Sequence, residues 1–407
     1  MFFQRSIFEE GSVVRNGIWL ASEKIVLLGK GVLLSYFLAN WLSQDVYGTY
    51  QYILACLGAL SALLLPGMGV AIVQAIACNK AGTFVTALRK VLHLALWGTI
   101  ILALIGSYYL YINSKAVAFL FFALAAVFPG YSIMNFWRYY YTGYSRFGDL
   151  VRVSIFLEFL SFGFMMITLV FFRSLEGLVF LGIITPIPFS LFIVWKLFRA
   201  SRNLPSDDNA IVFGRRISYA LSFSTIATYG DKLILGSLLG FAEVAVYAVA
   251  LIVPEQAKSL VASFMTPLLP KYSASVNSQE LKKHLIISSF GSIGIAMALY
   301  FLMPVVFSIL FPKYLIGIKY AQWLLLVLCL LPGTLLETYF RSQKDDATVM
   351  KATLAGSLSS IAFVASLVPF FGIMGAVGAK ISGLLIQSLV YFLSYIARTK
   401  NNSKNTN

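Results

Sequence analysis

The sequence has little of what soluble enzymes and metalloproteins need. Only 12% of its 407 residues are charged, about half the share found in soluble domains. Two histidines, His93 and His284, are too few for a histidine-rich metal site, and three cysteines at no metal-like spacing give no disulfide framework. No phosphate-binding P-loop, zincin motif or nucleophile elbow is present. The sequence therefore predicts no cofactor, no metal and no enzymatic activity.

Apolar residues make up 59% of the chain and gather in long runs. A membrane-spanning helix takes about 20 such residues, and no segment between the runs is long enough to fold as a soluble domain. The sequence therefore predicts an all-α polytopic membrane protein with about twelve transmembrane helices. Its start, MFFQRSIFEEGS, lacks the continuous apolar core of a cleavable signal peptide. The predicted spans are 14–39, 48–68, 91–111, 116–136, 150–172, 177–197, 214–239, 244–266, 285–310, 318–340, 352–370 and 373–397.

Basic residues outnumber acidic residues by 31 to 16, which gives a net charge of +15. In a soluble protein this excess would suggest nucleic acid, but lysine and arginine also gather in the cytoplasmic loops of membrane proteins. With the spans above, 22 of the 31 basic residues fall on one side of the membrane and 4 on the other. This asymmetry predicts that both termini are cytoplasmic, and no nucleic-acid partner is expected.

A polar segment near the middle divides the chain into two halves. Residues 198–212 are the least apolar stretch between spans, and a loose repeat relates Leu42–Tyr50 to Leu239–Tyr247, since each has an acidic turn before a small residue and a tyrosine. Such repeats are typical of transporters built from two related lobes. The predicted organisation is an N-terminal lobe of helices 1–6 (1–203), a cytoplasmic linker (204–212), a C-terminal lobe of helices 7–12 (213–397) and a cytoplasmic tail (398–407).

Five lysines lie inside the apolar runs: Lys24, Lys30, Lys232, Lys258 and Lys380. A lysine near the bilayer centre costs roughly 2.5–3.5 kcal/mol on insertion scales, so it is expected to face an aqueous cavity or an anion. Lys30, in the middle of the first helix, is predicted to face an internal cavity. The alternative is snorkelling to an interface, which suits Lys24 better. Lys380 either faces the cavity or packs near the interface.

Acidic residues in the same runs leave several interpretations open. Asp231, adjacent to Lys232, could bind a coupling cation, pair with Lys30 across the lobes or form a structural ion pair. Glu158 is the only charged residue in the middle of its helix and is a candidate proton site.

Two further carboxylates have a basic residue close by on the same helix. Glu255 lies three residues before Lys258 and directly after Pro254, which fits either a bending gate helix or a self-neutralised pair. Glu337 lies four residues before Arg341, which predicts a simple salt bridge.

Four segments resemble motifs of a known family: FLANWLSQDVYGTYQY, LLLPGMGVAIVQAIA, DKLILGSLLGFAEVAVYAVAL and FGIMGAVGAKISGLLIQSLVYFL. They are similar to segments of Wzx-type flippases, the exporters of lipid-linked O-antigen or capsule repeat units. These flippases belong to the multidrug, oligosaccharidyl-lipid and polysaccharide exporter (MOP) superfamily. The sequence departs from the family pattern at Ala245, where a glycine usually precedes the second tyrosine.

The resemblance implies two six-helix lobes around a central, cationic cavity in a bacterial inner membrane. It implies alternating access for a polyprenyl-diphosphate-linked oligosaccharide, with surrounding membrane lipid and with polysaccharide polymerase and chain-length proteins as candidate partners. The lysines then become candidate substrate-binding residues, namely Lys30, Lys232, Lys24 and Lys258. The candidates for ion coupling are Asp231, Glu158 and Glu255.

Two other functions share parts of this pattern. A cation-coupled multidrug exporter of the same superfamily would have the same fold, but five membrane lysines against about as many membrane acids make a strongly anionic cavity unexpected. A polytopic glycan polymerase or ligase would have similar hydropathy, but such proteins usually carry a large external loop with arginines or histidines. The predicted external loops are short, and both histidines lie toward the predicted cytoplasmic side.

Overall fold

The computed structural model describes residues 10–265, 278–343 and 345–404, and within these ranges the chain is helical with no strand. The predicted cytoplasmic start (1–9) and the end of the predicted tail (405–407) lie outside them. The α-helices are α1 (Glu10–Trp41), α2 (Gln44–Leu60), α3 (Met68–Ala77), α4 (Gly82–Tyr111), α5 (Lys115–Ile133), α6 (Phe136–Gly143), α7 (Phe147–Ile167), α8 (Leu175–Gly177), α9 (Pro186–Ser201), α10 (Asp208–Leu238), α11 (Phe241–Met265), α12 (Ser278–Leu310), α13 (Gly317–Leu324), α14 (Leu326–Cys329), α15 (Pro332–Ser342), α16 (Asp346–Phe371) and α17 (Ile373–Lys404).

Ten helical segments of the described chain are long and apolar enough to cross a membrane. The helices α1 and α10 are also long, at 32 and 31 residues, but they carry membrane lysines that lower their hydropathy. At about 1.5 Å per residue each exceeds the ~30 Å hydrocarbon core. With these two included, the described helices match the predicted count of about twelve. The ten segments are Gln44–Leu64, Gly82–Tyr111, Lys115–Gly143, Phe147–Phe172, Leu175–Ser201, Phe241–Val261, Lys283–Leu310, Gly317–Ser342, Asp346–Phe371 and Ile373–Arg398.

Large apolar side chains cover the outer surfaces of several helices. On α12, Phe290 and Phe301 are 75% and 72% exposed, and Phe370 near the end of α16 is 83% exposed. A soluble protein rarely exposes so much contiguous apolar surface, whereas lipid is a suitable solvent for it. The chain is therefore a multi-pass membrane protein.

The described chain groups into two compact units. The first contains residues 1–42 and 60–222, and the second contains residues 43–59 and 223–407. Residues 204–212, predicted as the linker, fall within the first unit, and residues 43–59, predicted in the N-terminal lobe, group with the second. The predicted lobes 1–203 and 213–397 stay a prediction.

A close backbone contact explains why residues 43–59 belong to the second unit. On α2, a Cβ atom at Gly48 would lie 1.7 Å from the carbonyl oxygen of Phe241 and 3.3 Å from the backbone nitrogen of Ala245. The helices α2 and α11 thus touch through small residues, as is common between membrane helices. Gly48 and Ala245 occupy the same position in the two repeat segments, so the repeat places its small residues against each other.

A glycine also sets the turn that precedes α17. Gly372, between α16 and α17, has a φ of +56°, a left-handed conformation that favours glycine. A Cβ at Gly375 would lie 2.4 Å from the carbonyl oxygen of Leu367, so α16 and α17 pack in close contact. This packing fixes the start of α17, the helix that carries Lys380.

In the first unit, the segment after α9 is fastened to the start of α4. The N–H of Gly82 donates to the carbonyl oxygen of Pro205 at 2.9 Å, and the N–H of Asp207 donates to Oγ1 of Thr83 at 2.7 Å. The ammonium of Lys80 lies 2.8 Å from Oδ2 of Asp207. Residues 205–207 are therefore held against the start of α4, within the first unit, by several hydrogen bonds.

Candidate functional site

Three helices of the second unit bring charged side chains together. Asp231 lies on α10, Glu255 on α11 and Lys380 on α17. The ammonium of Lys380 lies 3.0 Å from Oε1 of Glu255 and 3.7 Å from Oδ2 of Asp231. The side chain of Lys380 is 18% exposed and that of Asp231 only 3%. One cation therefore bridges two carboxylates that come from two other helices.

Asp231 has two further hydrogen bonds. The hydroxyl of Tyr247 donates to Oδ2 at 2.6 Å, and the backbone N–H of Lys232 donates to Oδ1 at 2.7 Å. Tyr247, the tyrosine of the second repeat segment, is itself fully buried. A buried carboxylate needs such partners, because water no longer solvates it. The repeat tyrosine thus has a specific structural task, which is to orient Asp231.

Lys232 contacts a different helix. Its ammonium donates to Oε1 of Gln51 on α2 at 3.0 Å, so α2 contributes a polar group to the second unit. Adjacent residues on a helix point in different directions, and Asp231 and Lys232 accordingly have separate partners. An ion pair between Asp231 and Lys30, one of the predicted alternatives, is not needed to neutralise either residue. Asp231 has Lys380 and Lys30 has Glu158 as an oppositely charged partner within its own unit.

A polar cavity of about 150 Å³ lies beside these charges, entirely within the second unit. Glu255, Lys258 and Lys380 contribute its charged walls, and hydroxyl groups, an amide and some apolar residues contribute the rest. Lys258 and Glu255 line the same cavity, as their spacing on one helix predicts. Glu255 nevertheless forms its ion pair with Lys380. The lining residues are Ser224, Ala227, Thr228, Glu255, Lys258, Gly356, Ser357, Ser360, Lys380, Gly383, Leu384 and Gln387.

The first unit contains a second candidate site. The ammonium of Lys30 on α1 lies 2.5 Å from Oε2 of Glu158 on α7. The pair lines a cavity of about 260 Å³ whose remaining walls are mostly apolar: Val26, Gly29, Leu33, Phe159 and Phe162. Lys30 therefore faces a cavity in its own unit, and Glu158 is its partner rather than a lone carboxylate. Lys24 is exposed.

A buried polar network in the first unit involves α1, α6 and α7. Glu23 on α1 accepts hydrogen bonds from Arg138 at 2.7 Å and from the hydroxyl of Ser154 at 2.5 Å. Arg138 also donates to Ser154 at 2.8 Å. The Glu23 side chain is only 5% exposed, so this network neutralises a carboxylate inside the protein.

The sequence pointed to most of these charges but to few of their partners. The salt bridge between Glu337 and Arg341 is confirmed at 2.7 Å. The partners Gln51 and Arg138 were not predicted, because they are distant in sequence from the charges they contact. The bond between Tyr247 and Asp231 was not predicted either, although the two residues lie on consecutive helices. The repeat was a usable sequence signal for Tyr247, because it ends the second repeat segment, Leu239–Tyr247. The predicted roles in substrate binding (Lys30, Lys232, Lys24, Lys258) and in ion coupling (Asp231, Glu158, Glu255) stay predictions.

The charges inside the two units are arranged differently. In the second unit, Lys232, Lys258 and Lys380 stand against Asp231 and Glu255, which leaves one positive charge in excess near the polar cavity. In the first unit, Lys30 with Glu158 and Arg138 with Glu23 form neutral pairs, and the excess charge is on Lys24, which is exposed. Among the described residues no group of three or more His, Cys, Asp or Glu side chains could hold a metal ion. The arrangement offers hydrogen-bond donors, hydroxyl groups and a positive bias.

Comparison with known proteins was informative at the level of structure. No protein-family model and no curated sequence matches the chain. An inward-facing multidrug resistance MATE family transporter of the MOP superfamily aligns with a TM-score of 0.67 at 16% identity, covering 95% of this chain and 96% of that one. The lipid II flippase MurJ in an inward closed conformation aligns with a TM-score of 0.71 at 15% identity, covering 94% and 87%.

A third structure is that of a MOP superfamily transporter from Pyrococcus furiosus, described as having a binding pocket of reverse polarity. It aligns with a TM-score of 0.65 at 15% identity and covers 95% of each chain. At such identities the likeness concerns the fold and not the substrate. The chain is therefore a multi-pass membrane protein with the fold of the MOP superfamily transporters.

Proposed function

We propose that the chain is a flippase that moves polyprenyl-diphosphate-linked oligosaccharide repeat units across a bacterial cytoplasmic membrane, for O-antigen or other surface polysaccharide. It would work by alternating access, with both termini in the cytoplasm and without enzymatic chemistry. The observation that carries this proposal is the lysine-rich polar cluster inside the spanning helices of the second unit. MurJ, which has the same fold, is a lipid II flippase.

The chemistry of the cargo fits the groups that line the cavities. A diphosphate is a multiply charged anion that needs cations and hydrogen-bond donors at membrane depth. Lys232, Lys258 and Lys380 supply cations in the second unit, and Lys30 supplies one in the first. Sugar hydroxyls need both donors and acceptors, which the serines, Thr228 and Gln387 of the polar cavity offer. The polyprenyl tail would remain in lipid.

The membrane potential favours the outward step for such a cargo. With a negative interior, moving one negative charge outward is favourable by roughly 2.3 kcal/mol per 100 mV. The diphosphate carries more than one charge, so the potential could contribute several kcal/mol when the cations travel less far than the cargo. Polysaccharide polymerase and chain-length proteins would act on the product at the other face.

One observation favours a second candidate, a multidrug exporter of the MATE type. The cavity beside Lys30 and Glu158 has mostly apolar walls with two phenylalanines, Phe159 and Phe162. Such a lining suits an apolar drug with a positive charge once Glu158 is released from Lys30. The flippase remains the preferred function, because the second unit carries more cations than carboxylates.

The test is the profile of lipid-linked oligosaccharides in cells that lack the protein, measured separately for each leaflet. Complete repeat units accumulating on the cytoplasmic leaflet, together with loss of surface polysaccharide, would support the flippase. Normal polysaccharide with increased drug sensitivity would support the exporter. Single repeat units that reach the outer leaflet without being polymerised would instead indicate a polymerase. Restoring the wild-type chain controls for effects on neighbouring steps.

A further inference from the structure

The ammonium of Lys380 lies between two carboxylates that come from two other helices. Asp231 and Glu255 are two of the three carboxylates that the sequence assigns to ion coupling. In the structure their oxygens face one ammonium group, at 3.7 Å and 3.0 Å. A small cation in a protein is normally held by carboxylate, hydroxyl and carbonyl oxygens. Such oxygens are gathered here, but the positive charge among them belongs to the protein.

We propose that Lys380 is a tethered cation that takes the place of Na⁺ or a similar ion at this site. The protein then binds no small cation between Asp231 and Glu255 while Lys380 is there. A free cation within 4 Å of the ammonium would meet strong repulsion, because Lys380 and Asp231 are only 18% and 3% exposed and charges that are largely buried are screened poorly. Both carboxylates already have a positively charged partner that cannot diffuse away.

The other charges around the site point the same way. Lys232 on α10 is bonded to Gln51 of α2, and Lys258 on α11 lines the cavity beside Glu255. Together with Lys380 they outnumber Asp231 and Glu255, so the surrounding potential is positive and repels free cations. Removing Lys380 would leave Asp231 without an ion-pair partner within the part of the chain that the structure describes. The remaining oxygens of Asp231, Glu255 and Tyr247 would then form an acidic site that a cation could enter.

This inference does not depend on the cargo. If the proposed flippase function is right as well, a Na⁺ gradient cannot drive transport through this site. Binding energy of the cargo and the membrane potential would remain as driving forces. The two proposals can fail separately, because cation binding is measured on the purified protein without any cargo.

The experiment measures the unfolding temperature of the purified full-length protein in detergent, in NaCl, LiCl or choline chloride at equal ionic strength. We expect the wild-type temperature to be the same in all three salts. Lys380→Ala should unfold at a lower temperature in choline chloride and recover by about 3–5 °C in NaCl or LiCl when the cation is well above its dissociation constant. The recovery should vanish in Lys380→Ala/Asp231→Asn.

Two further variants make the test decisive. Lys351→Ala removes one exposed positive charge from the same unit and should show no cation dependence, which excludes a general effect of net charge. Lys380→Ala/Lys258→Ala covers the case in which Lys258 moves into the space that Lys380 leaves. A Na⁺-dependent rise in the wild type that Asp231→Asn removes would overturn the proposal. The absence of any cation effect in both Lys380→Ala and Lys380→Ala/Lys258→Ala would also overturn it, provided that each variant elutes as a monodisperse, folded protein.

Discussion

The ammonium of Lys30 lies 2.5 Å from Oε2 of Glu158, and the two side chains are 18% and 34% exposed. Two residues that the sequence assigned to different tasks, anion binding and proton coupling, therefore neutralise each other across α1 and α7. An anionic cargo would have to compete with Glu158 for Lys30. Cargo binding and the charge state of Glu158 are linked in this arrangement.

A double substitution can separate the structural from the functional role of this pair. Lys30→Met leaves Glu158 without its partner, and we expect a loss of about 1–3 kcal/mol in the free energy of unfolding, less than for a fully buried pair because both side chains are partly exposed. Lys30→Met/Glu158→Gln removes both charges and should recover most of that loss. Thermal unfolding in detergent measures both effects.

Export distinguishes the two roles. If Lys30 contacts the cargo, the double variant should be stable and present at normal abundance but should still accumulate repeat units on the cytoplasmic leaflet. If the double variant recovers stability and export together, Lys30 is only a structural partner of Glu158. Lys115→Ala, at the first residue of α5, controls for the loss of one lysine outside the cavities.

The contact between α2 and α11 predicts a strict requirement for glycine. Gly48→Ala would place a Cβ atom 1.7 Å from the carbonyl oxygen of Phe241, so the helices must move apart. We expect a loss of about 1–3 kcal/mol, as for other overpacked sites, or failure to accumulate folded protein. Gly294→Ala, on α12 of the same unit, is the matched control because nothing lies within 4 Å of the added atom. It should be neutral or stabilising by up to about 1 kcal/mol.

An unfolding temperature for Gly48→Ala equal to that of Gly294→Ala would show that α2 and α11 are not in backbone contact.

The buried network around Glu23 gives a stability prediction of its own. Glu23→Gln keeps the shape of the side chain but leaves Arg138 without its counter-ion, and we expect a loss of about 2 kcal/mol. Ser154→Ala removes two hydrogen bonds, one donated to Glu23 and one accepted from Arg138, and should cost about 1–3 kcal/mol. The double variant should lose less than the sum, because Ser154 and Arg138 bond the same oxygen of Glu23 and Glu23→Gln already weakens these bonds. Additive losses in the unfolding free energy would contradict a shared network.

The sequence predicted the fold well because the constraint is simple. Only helices satisfy their backbone groups in lipid, so apolar runs of the right length locate most spans without further information. The position of Lys30 beside a cavity followed from the same argument, since a charge at that depth needs a partner. Which partner it has could not be predicted. Glu158 and Gln51 meet their partners only after helices distant in sequence pack, and packing of small residues such as Gly48 decides which helices those are. Tyr247 meets Asp231 across the turn between the consecutive helices α10 and α11, and the sequence alone did not define the geometry of that turn.

The contact of residues 205–207 with the start of α4 is expected to depend on pH, because it includes the ion pair of Lys80 and Asp207. The hydrogen bond from Lys80 lowers the pKa of Asp207, and the same bond raises the pKa of Lys80. A lowered acid pKa means that the contribution of Asp207 is complete above its ordinary value of 3.8 and is lost as the pH falls through the folded value. The contribution of Lys80 is complete below 10.5 and is lost as the pH rises through its raised value.

Between these limits the contact should be constant. Amide hydrogen exchange of residues 202–208, corrected for its intrinsic pH dependence, should show steady protection from pH 5 to pH 9 and loss of protection below the folded pKa of Asp207. Asp207→Asn should weaken protection at pH 7. Asp208→Asn removes a neighbouring charge that accepts no hydrogen bond from Lys80 and serves as the control. Protection that falls steadily from pH 9 to pH 5 would contradict the role of this pair.

The predicted orientation in the membrane can be tested with the native cysteines. Cys78 is exposed and lies between α3 and α4, two residues before Lys80, whereas Cys56 is buried. If the basic side is cytoplasmic, a membrane-impermeant maleimide should label Cys78 in inside-out vesicles and not in intact cells. Cys329→Ser in the background removes the remaining partly exposed thiol, and Cys78→Ser should abolish the signal. A cysteine introduced as Ser114→Cys, in the turn after α4 on the predicted external side, should label in intact cells. Labelling of Cys78 in intact cells would show that the orientation is the reverse of the predicted one. The side rich in basic residues would then face outward. The positive-inside rule would no longer support a cytoplasmic face for loading the cargo.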